Sequence, residues 1–174
     1  YTGTGATTNK SVGHGLSQTP DMLIYKNRSQ TGGWDIYHSG VTYPNASWWQ
    51  NYLQFDTDVS ASYTGMPQPS SSLINLPEGG VTYNTTSDEH LWYAFHSVEG
   101  FSKFGSYTGN GSADGPFVYT GFRPAFVMMK VVDLLGGYWV IHDSARDEYN
   151  ESQKWLFSNS SSAEQTATYS KLDF

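Results

Sequence analysis

The chain has 174 residues, of which 37% are hydrophobic, 16% are aromatic and only 14% are charged, and its net charge at neutral pH is −7. This charge argues against a nucleic-acid partner, because phosphate binding requires clustered lysine and arginine. No apolar run approaches the roughly 18 residues of a membrane-spanning helix, so no membrane span is expected. Without any cysteine, the chain has no disulfide framework.

The first half of the chain is predicted to form short strands separated by turns. Residues 22–26 are a nearly continuous apolar run, typical of a central strand that is buried on both faces. Residues 34–38 follow after a glycine turn, and this order predicts a β-hairpin. Further strands are predicted at 52–55 and 73–76, and the strongest candidate is 90–98. No window shows apolar residues at helical spacing over about three turns, so the predicted fold class is all-β.

The second half of the chain repeats the first at a nearly constant offset. The matching segments are 1–5 with 107–111, 20–26 with 124–130, 34–39 with 139–144, and 52–53 with 155–156. A period of this length is close to that of one domain. We therefore predict two tandem antiparallel β-sandwich modules, residues 1–104 and residues 105–174. One copy offers enough strands for a jelly roll.

The second copy is predicted to be incomplete. It ends at Phe174, opposite Leu76, so the segment equivalent to 77–106, which contains the strongest strand, has no counterpart in it. A sheet without its closing strand has an unpaired edge, to which a strand from another chain can add. Two donors remain open, namely a neighbouring subunit and residues that lie outside this chain.

Eight residues are candidates for assembly contacts. Trp48 and Trp49 are adjacent, so they cannot both face the core of one sheet. We favour an arrangement in which one packs inwards while the other seals a subunit contact, where tryptophan is enriched. Burial in the core and a platform for sugar rings are the alternatives. The remaining candidates are Tyr52 and, on the closing strand, Leu91, Trp92, Tyr93, Phe95 and Val98.

Seven of the nine asparagines begin an Asn-x-Ser/Thr triplet, the acceptor sequence for N-glycosylation. These candidates are Asn9, Asn27, Asn45, Asn84, Asn110, Asn150 and Asn159. Asparagine, serine and threonine also share turns, so the coincidence has a second interpretation that requires no glycan.

The sequence offers no catalytic or metal-binding constellation. Its five histidines have no zinc-like spacing, and no Gly-x-Ser-x-Gly motif is present. Asp88 and Glu89 are adjacent, so they point to opposite faces of a strand, unlike the paired carboxylates of glycosidases. Residues 56–58 and the pair Asp143 and Asp147 supply too few oxygens for calcium, and solvated turns are the better interpretation. We therefore expect a non-enzymatic protein with no cofactor and no metal.

Residues 91–150 resemble a known family. The sequences GFSKFGSYTGNG at 100–111, DGPFVYTGFRPAFVMMK at 114–130 and HDSARD at 142–147 are similar to a repeat found in structural and tail-fibre-like proteins of aquatic bacteriophages. The similarity is weaker across the first copy. This resemblance implies a concanavalin-like jelly-roll fold and a role in a fibre, an appendage or a virion surface, and it supplies no catalytic residues.

Together, the repeat and the resemblance predict a structural subunit of an extracellular or virion-surface filament or fibre, whose partner is another copy of itself. The alternative is a receptor- or glycan-binding module of a tail fibre, whose partner is a cell-surface glycan. A duplicated module that stops short of its closing strand favours assembly over chemistry.

Overall fold

The computed structural model describes residues 1–8, 10–42, 48–57, 62–63, 66–78, 82–133, 137–166 and 172–173. In chain order its strands are β1 (Ser11–Gly13), β2 (Met22–Asn27), β3 (Asp35–His38), β4 (Asn51–Gln54), β5 (Ser62–Tyr63), β6 (Leu73–Asn75), β7 (His90–Phe95), β8 (Phe126–Lys130), β9 (Trp139–Asp143), β10 (Lys154–Phe157) and β11 (Gln165–Thr166). Within these ranges the only helical element is a 3₁₀ turn, Trp48–Gln50, and no helix has the length and apolar character needed to cross a membrane.

The strands pair antiparallel in three sheets. The largest has five strands in the order β5-β4-β3-β2-β7, the second has four in the order β11-β10-β9-β8, and β1 pairs with β6 in a short ribbon. This arrangement confirms the predicted all-β, antiparallel class. β2 and β3 form the predicted hairpin, with Ile24 opposite Ile36. The jelly-roll connectivity and the concanavalin-like assignment stay predictions.

The two larger sheets share a strand order and a pairing register. Strands β2 to β5 correspond in the sequence repeat to β8 to β11, and each series lies in the same spatial order. Ile24 lies opposite Ile36 in one sheet, just as Met128 lies opposite Ile141 in the other. β7 has no counterpart among the described strands of the second sheet. This agreement supports the sequence repeat, while the arrangement as two tandem sandwiches stays a prediction.

The two larger sheets pack face to face over a common apolar core. Met22, Ile36 and Leu53 of the five-stranded sheet are almost fully buried, and they cluster with Trp139 of the four-stranded sheet. The indole N–H of Trp139 also donates to the backbone oxygen of Gln54 at 2.8 Å. Residues on both sides of the predicted module boundary therefore contribute to one core.

The ribbon of β1 and β6 covers the other face of the five-stranded sheet. Leu23 and Tyr25 alternate with Met22 and Ile24 along β2, and they pack in a separate cluster with Ile74 of the ribbon. β2 is thus buried on both faces, as its continuous apolar run predicts. The five-stranded sheet is the layer between the ribbon and the second sheet.

Candidate functional site

β8 forms an edge of the four-stranded sheet. It pairs with β9 on one side, and the described residues provide no strand on the other. The N–H of Ser144 donates to the carbonyl of Ala125 on the β9 side, so Phe126 and Met128 direct their N–H groups away from β9. The side chain of Phe126 is 58% exposed at this edge. In the five-stranded sheet the corresponding edge of β2 is occupied by β7.

β7 also forms a sheet edge. Its inner side pairs with β2, and within the described residues its outer side is paired only at its start, by residues 1–2. There the amino group of Tyr1 donates to the carbonyl of His90 at 2.9 Å, and the N–H of His90 donates to the carbonyl of Tyr1 at 2.8 Å. Because N–H groups alternate along a strand, those of Trp92 and Ala94 also point outwards. β5 and β11 lie at the opposite edges of the two sheets, so β7 and β8 are two of several edge strands in the described part of the molecule.

The side chains of the closing strand divide between the core and the surface. The ring centroid of Trp92 lies 4.8 Å from that of Tyr25 and 5.7 Å from that of Tyr83. Trp92 is half-buried and packs against the core cluster, and its role as an assembly residue stays a prediction. The other candidates on this strand are half-buried or exposed: Leu91, Tyr93, Phe95 and Val98.

The tryptophan pair lies in the 3₁₀ turn that leads into β4. Trp49 is half-buried, whereas the side chain of Trp48 lies outside the described part of the structure. Tyr52 is half-buried on β4, and its ring centroid lies 6.5 Å from that of Tyr37 in the core. β3 and β2 separate β4 from β7 in the sheet, and on its other side Tyr52 pairs with Ser62 of β5, so Tyr52 does not lie at the edge formed by β7.

Several strongly exposed aromatic side chains were not singled out by the sequence pattern. Phe101, Phe117, Tyr119 and Tyr149 are each at least 77% exposed. They lie in loops, where hydrophobic periodicity carries no information about burial. The only signal for them in the sequence is an aromatic content of 16%, which is high for a chain of this length.

Tyr149 lies at a shallow cleft of about 450 Å³ near the start of β10. The cleft is also lined by Asp147, Asn150, Glu151 and Gln153. The carboxylate of Asp147 accepts a hydrogen bond from the N–H of Gln153 at 2.7 Å. An aromatic ring beside carboxylate and amide groups is suited to contact with a polar ring-shaped ligand such as a sugar.

Asp143, considered with Asp147 as a calcium ligand, has another role. Its carboxylate pairs with Arg146 at 2.5 Å and accepts the N–H of Ala145 at 3.1 Å. The hydrogen bond from Arg146 holds the pKa of Asp143 below its usual value. Within the described residues no three metal-ligating side chains come together, and Asp58 of the other acidic loop lies outside them.

A family model matches residues 1–174. The chain belongs to the family DUF7483, a domain of unknown function. No curated protein sequence and no solved structure matches the chain. Membership in DUF7483 adds no activity, and the similarity to bacteriophage repeats stays a prediction. The open edge of β8 and the exposed aromatic residues therefore carry the functional inference.

A half-buried carboxyl group, that of Asp35, lies in β3. The hydroxyl of Tyr83 donates to Oδ2 of Asp35 at 3.2 Å, and the hydroxyls of Tyr37 and Tyr83 lie 2.7 Å apart. Burial is the largest effect on the pKa of Asp35 and raises it to about 6. The hydrogen bonds from Tyr83 and Gln54 lower this pKa, but by less. Burial also raises the pKa of Tyr83, so this hydroxyl stays protonated as the donor.

Asp35 is expected to make the protein less stable as the pH rises. Its pKa is about 6 in the folded protein against a reference value of 3.8, so between these values the folded state binds more protons than the unfolded state. This difference in proton binding stabilises the folded state in full below pH 3.8, and the stabilisation is lost as the pH rises through about 6. Asp35→Asn should therefore raise the free energy of unfolding by roughly 2 kcal/mol near neutral pH and change it little at about pH 4.

Urea unfolding at the two pH values measures this effect, with the exposed Asp114→Asn as the matched control. The control should change stability little at either pH. An equal gain from Asp35→Asn at both pH values would contradict the assignment of the raised pKa to this carboxyl group.

The structure argues against one of the seven sequons. Asn84 is 5% exposed, and its amide nitrogen donates to Oγ1 of Thr4 and to the carbonyl of Ala6, both at 3.1 Å. A glycan on this nitrogen would displace both hydrogen bonds and the packing around them. Asn84 is therefore corrected from a candidate acceptor to a buried residue that fixes the N-terminal segment.

Two other sequons have the geometry of the turn interpretation. The side-chain oxygens of Asn27 and Asn110 accept the N–H groups of Ser29 at 2.9 Å and Ser112 at 3.0 Å, the hydrogen bond of an Asx turn. The serine that completes each triplet is thus also the residue that closes the turn. Of the candidates, Asn110 and Asn150 are exposed, Asn27 and Asn159 are half-buried, and Asn9 and Asn45 lie outside the described residues.

Mass spectrometry of native material is expected to find any attached glycan on exposed sequons and none on the buried one. Asn110 is the position where we expect it, because its side chain is exposed, whereas the amide nitrogen of the exposed Asn150 donates to Oδ1 of Asp173. A glycan on Asn84 would contradict the burial of that side chain. Bare peptide at every sequon would leave the turn interpretation as the explanation of the triplets.

Proposed function

We propose that the protein is a structural subunit of an extracellular or virion-surface filament or fibre, and that its partner is another copy of itself. The observation that carries this proposal is the open edge of β8. Soluble monomers blunt such edges with inward charges, prolines or bulges. β8 has only one charged residue, Lys130 at its end, and it exposes the ring of Phe126. An edge of this kind is suited to strand addition.

The exposed side chains also favour assembly. Aromatic residues are enriched and most charged residues are depleted in the buried centre of protein interfaces. The chain has the same bias, with more aromatic than charged residues. Phe101, Phe117 and Tyr119 expose most of their ring surface in the described structure. Subunit contacts would bury this area and supply stability that one copy lacks.

The proposed location rests on the resemblance to bacteriophage repeats and on the exposed sequons. A non-catalytic role accords with the roles of the described carboxylates. The carboxylate of Asp143 pairs with Arg146, and that of Asp147 accepts the N–H of Gln153. The carboxyl group of Asp35 accepts the hydroxyl of Tyr83. We therefore assign none of these three groups to chemistry on a substrate.

Electron microscopy of negatively stained native material tests the proposed function. A structural subunit should appear as filaments or fibres with a regular axial repeat. Isolated particles of monomer size at every concentration, with no fibre, would contradict the proposal. The same grids after dilution would show whether the assembly is reversible.

A glycan-binding module is the second candidate, and the cleft at Tyr149 is the observation that favours it. The ring is 81% exposed beside Asp147 and Glu151, so it can stack on a sugar while the acidic groups accept hydrogen bonds from hydroxyls. Binding to a glycan array that is lost in Tyr149→Ala and retained in Phe117→Ala would support this candidate. No binding by the parent protein would remove it.

A further inference from the structure

We propose that residues 117–119 form a strap that closes over the outer face of the four-stranded sheet, the face turned away from the five-stranded sheet, and pairs with residues 172–173. The first half of the molecule is the template for this closure. In the sequence repeat, residues 117–119 correspond to β1, and residues 172–173 correspond to the last two residues of β6. β1 pairs with β6, and the ribbon covers the five-stranded sheet. The closure concerns the conformation of one copy and is independent of the proposed filament.

The strap is exposed in the structure. Phe117 is 91% exposed, Tyr119 is 77% exposed and Val118 is 47% exposed, and none of these three described residues belongs to a strand. The residue that corresponds to Val118 in the first half is Val12, which packs against the core cluster beneath the ribbon. Closure of the strap would give Val118 the same packing, and the burial of this apolar side chain favours it.

The face that the strap would cover is less buried than its counterpart. Val127 and Met129 alternate along β8 with Met128, which packs in the core between the two larger sheets, so they lie on the outer face. Both are half-buried, whereas the corresponding residues of β2, Leu23 and Tyr25, are 0% and 4% exposed beneath the ribbon. A strap in the position of the ribbon would complete the burial of this face.

The turn that follows the strap has the backbone conformation of its counterpart. Gly121 has a φ of 85°, and Gly15, which occupies the corresponding position after β1, has a φ of 71°. Both values lie in the left-handed region, which glycine adopts without steric cost. The turn that directs β1 onto the sheet in the first half is therefore already formed behind the strap.

The connection to β8 is long enough for closure within one copy. β8 begins at Phe126 and lies two strands away from β10, which corresponds to about 10 Å across the sheet. Leu172 pairs with Ser152, which lies just before β10, at the end of the sheet where β8 begins. Residues 120–125 connect the strap to β8, and a segment of this length spans up to about 20 Å. The strap can therefore reach Leu172 of its own chain.

Closure would exchange one backbone partner of Leu172 for another. In the structure the N–H of Ser152 donates to the carbonyl of Leu172 at 2.8 Å, and the N–H of Leu172 donates to the carbonyl of Ser152 at 2.9 Å. In the ribbon the corresponding Ile74 pairs with Val12, so the closed strap would place Val118 opposite Leu172. As many backbone hydrogen bonds form as are lost, so the burial of apolar surface decides between the two states.

Disulfide trapping tests the closure, because the chain has no cysteine of its own. Phe117 and Asp173 correspond to Ser11 and Asn75, a non-hydrogen-bonded pair of the ribbon. The Cα atoms of such a pair lie about 4.5 Å apart, within the roughly 4.4–6.8 Å that a disulfide spans. The double variant Phe117→Cys with Asp173→Cys should therefore form an intramolecular disulfide on mild oxidation at low protein concentration. Ser11→Cys with Asn75→Cys is the positive control, since these residues are paired in the structure.

Asp114→Cys with Asp173→Cys is the matched negative control. Asp114 is exposed and lies just before the strap, and both double variants lose the hydrogen bond from Asn150 to Asp173, so the two differ in register. The disulfide should form several-fold faster from position 117 than from position 114. Equal rates would overturn the closure, and so would the absence of a 117–173 disulfide under conditions in which the 11–75 pair is oxidised. A disulfide-linked dimer in place of the monomer would also overturn it, since the strap would then pair with another copy.

A charge on the strap tests the burial of Val118 separately from the register. In the 117–173 double-cysteine protein, Val118→Asp should slow disulfide formation several-fold, because closure would then bury a carboxylate against apolar side chains. Ser112→Asp adds the same charge at an exposed position outside the strap and should leave the rate unchanged. Equal rates in the two variants would overturn the packing of Val118 on the outer face.

Discussion

Replacing Trp139 by alanine is expected to lower the free energy of unfolding by about 3–5 kcal/mol. Trp139 is 4% exposed in the core between the two larger sheets, where it packs with Met22, Ile36 and Leu53. Its removal opens a cavity between the sheets and leaves the backbone oxygen of Gln54 without its indole donor. A loss of this size is a large fraction of the total stability of a small protein, so much of the variant should be unfolded in mild denaturant.

Urea unfolding followed by circular dichroism measures this effect. The matched control is Tyr149→Ala, which removes an aromatic ring that is 81% exposed and should change stability by no more than about 0.5 kcal/mol. If Trp139→Ala were as stable as the control, the two sheets would not share a core, and the packing of the two halves would have to be reconsidered.

Phe126→Pro is expected to abolish polymerisation at concentrations where the parent protein polymerises, while leaving the fold intact. The N–H of Phe126 points away from β9, so proline removes no hydrogen bond within its own sheet, and proline is tolerated at the first residue of an edge strand. Where a strand from another copy is added to β8, it removes a donor and places a ring beside the backbone of the added strand. The cost of an unsatisfied partner is about 1–3 kcal/mol, which corresponds to a rise of roughly five- to 150-fold in the concentration required.

Phe126→Ala is the matched control, because it keeps the N–H and removes only the exposed ring. Sedimentation of both variants should show a larger loss of polymer for proline than for alanine. Equal losses would mean that backbone pairing at β8 contributes nothing. Deletion of residues 89–98 is a less specific test, because the loss of Trp92 from the core is expected to unfold the protein.

The strands could be predicted from the sequence where burial imposes a pattern. The run at 22–26 is apolar on both faces because β2 lies between the ribbon and the second sheet. The strands at 34–38 and 90–98 could also be predicted from their apolar and aromatic residues. Periodicity shows that a face is buried but not what covers it, so the packing of Trp139 on Met22 could not be predicted.

The strand on which a candidate residue lies is easier to predict than the surroundings of its side chain. Trp92 was selected because it lies on the closing strand, but alternation along that strand directs its ring into the core towards Tyr25. Asn84 matches the sequon pattern, yet its amide holds the segment at Thr4 and Ala6, a contact between residues far apart in the chain. A local pattern contains no information about such contacts.

The open edge of the second sheet is the one part of the candidate site that the repeat predicted directly. β8 corresponds to β2 in the repeat, and among the described strands of the second sheet none corresponds to β7. The structure adds that β7 is itself an edge. The position of β7 at an edge could be identified only after the sheet order was known.

Sedimentation velocity of the unaltered chain over a wide concentration range tests the central claim most directly. If copies of the chain assemble into a filament or fibre, the mean mass should keep rising with concentration and should not stop at a dimer. A single species of 19.3 kDa over the whole range would contradict it.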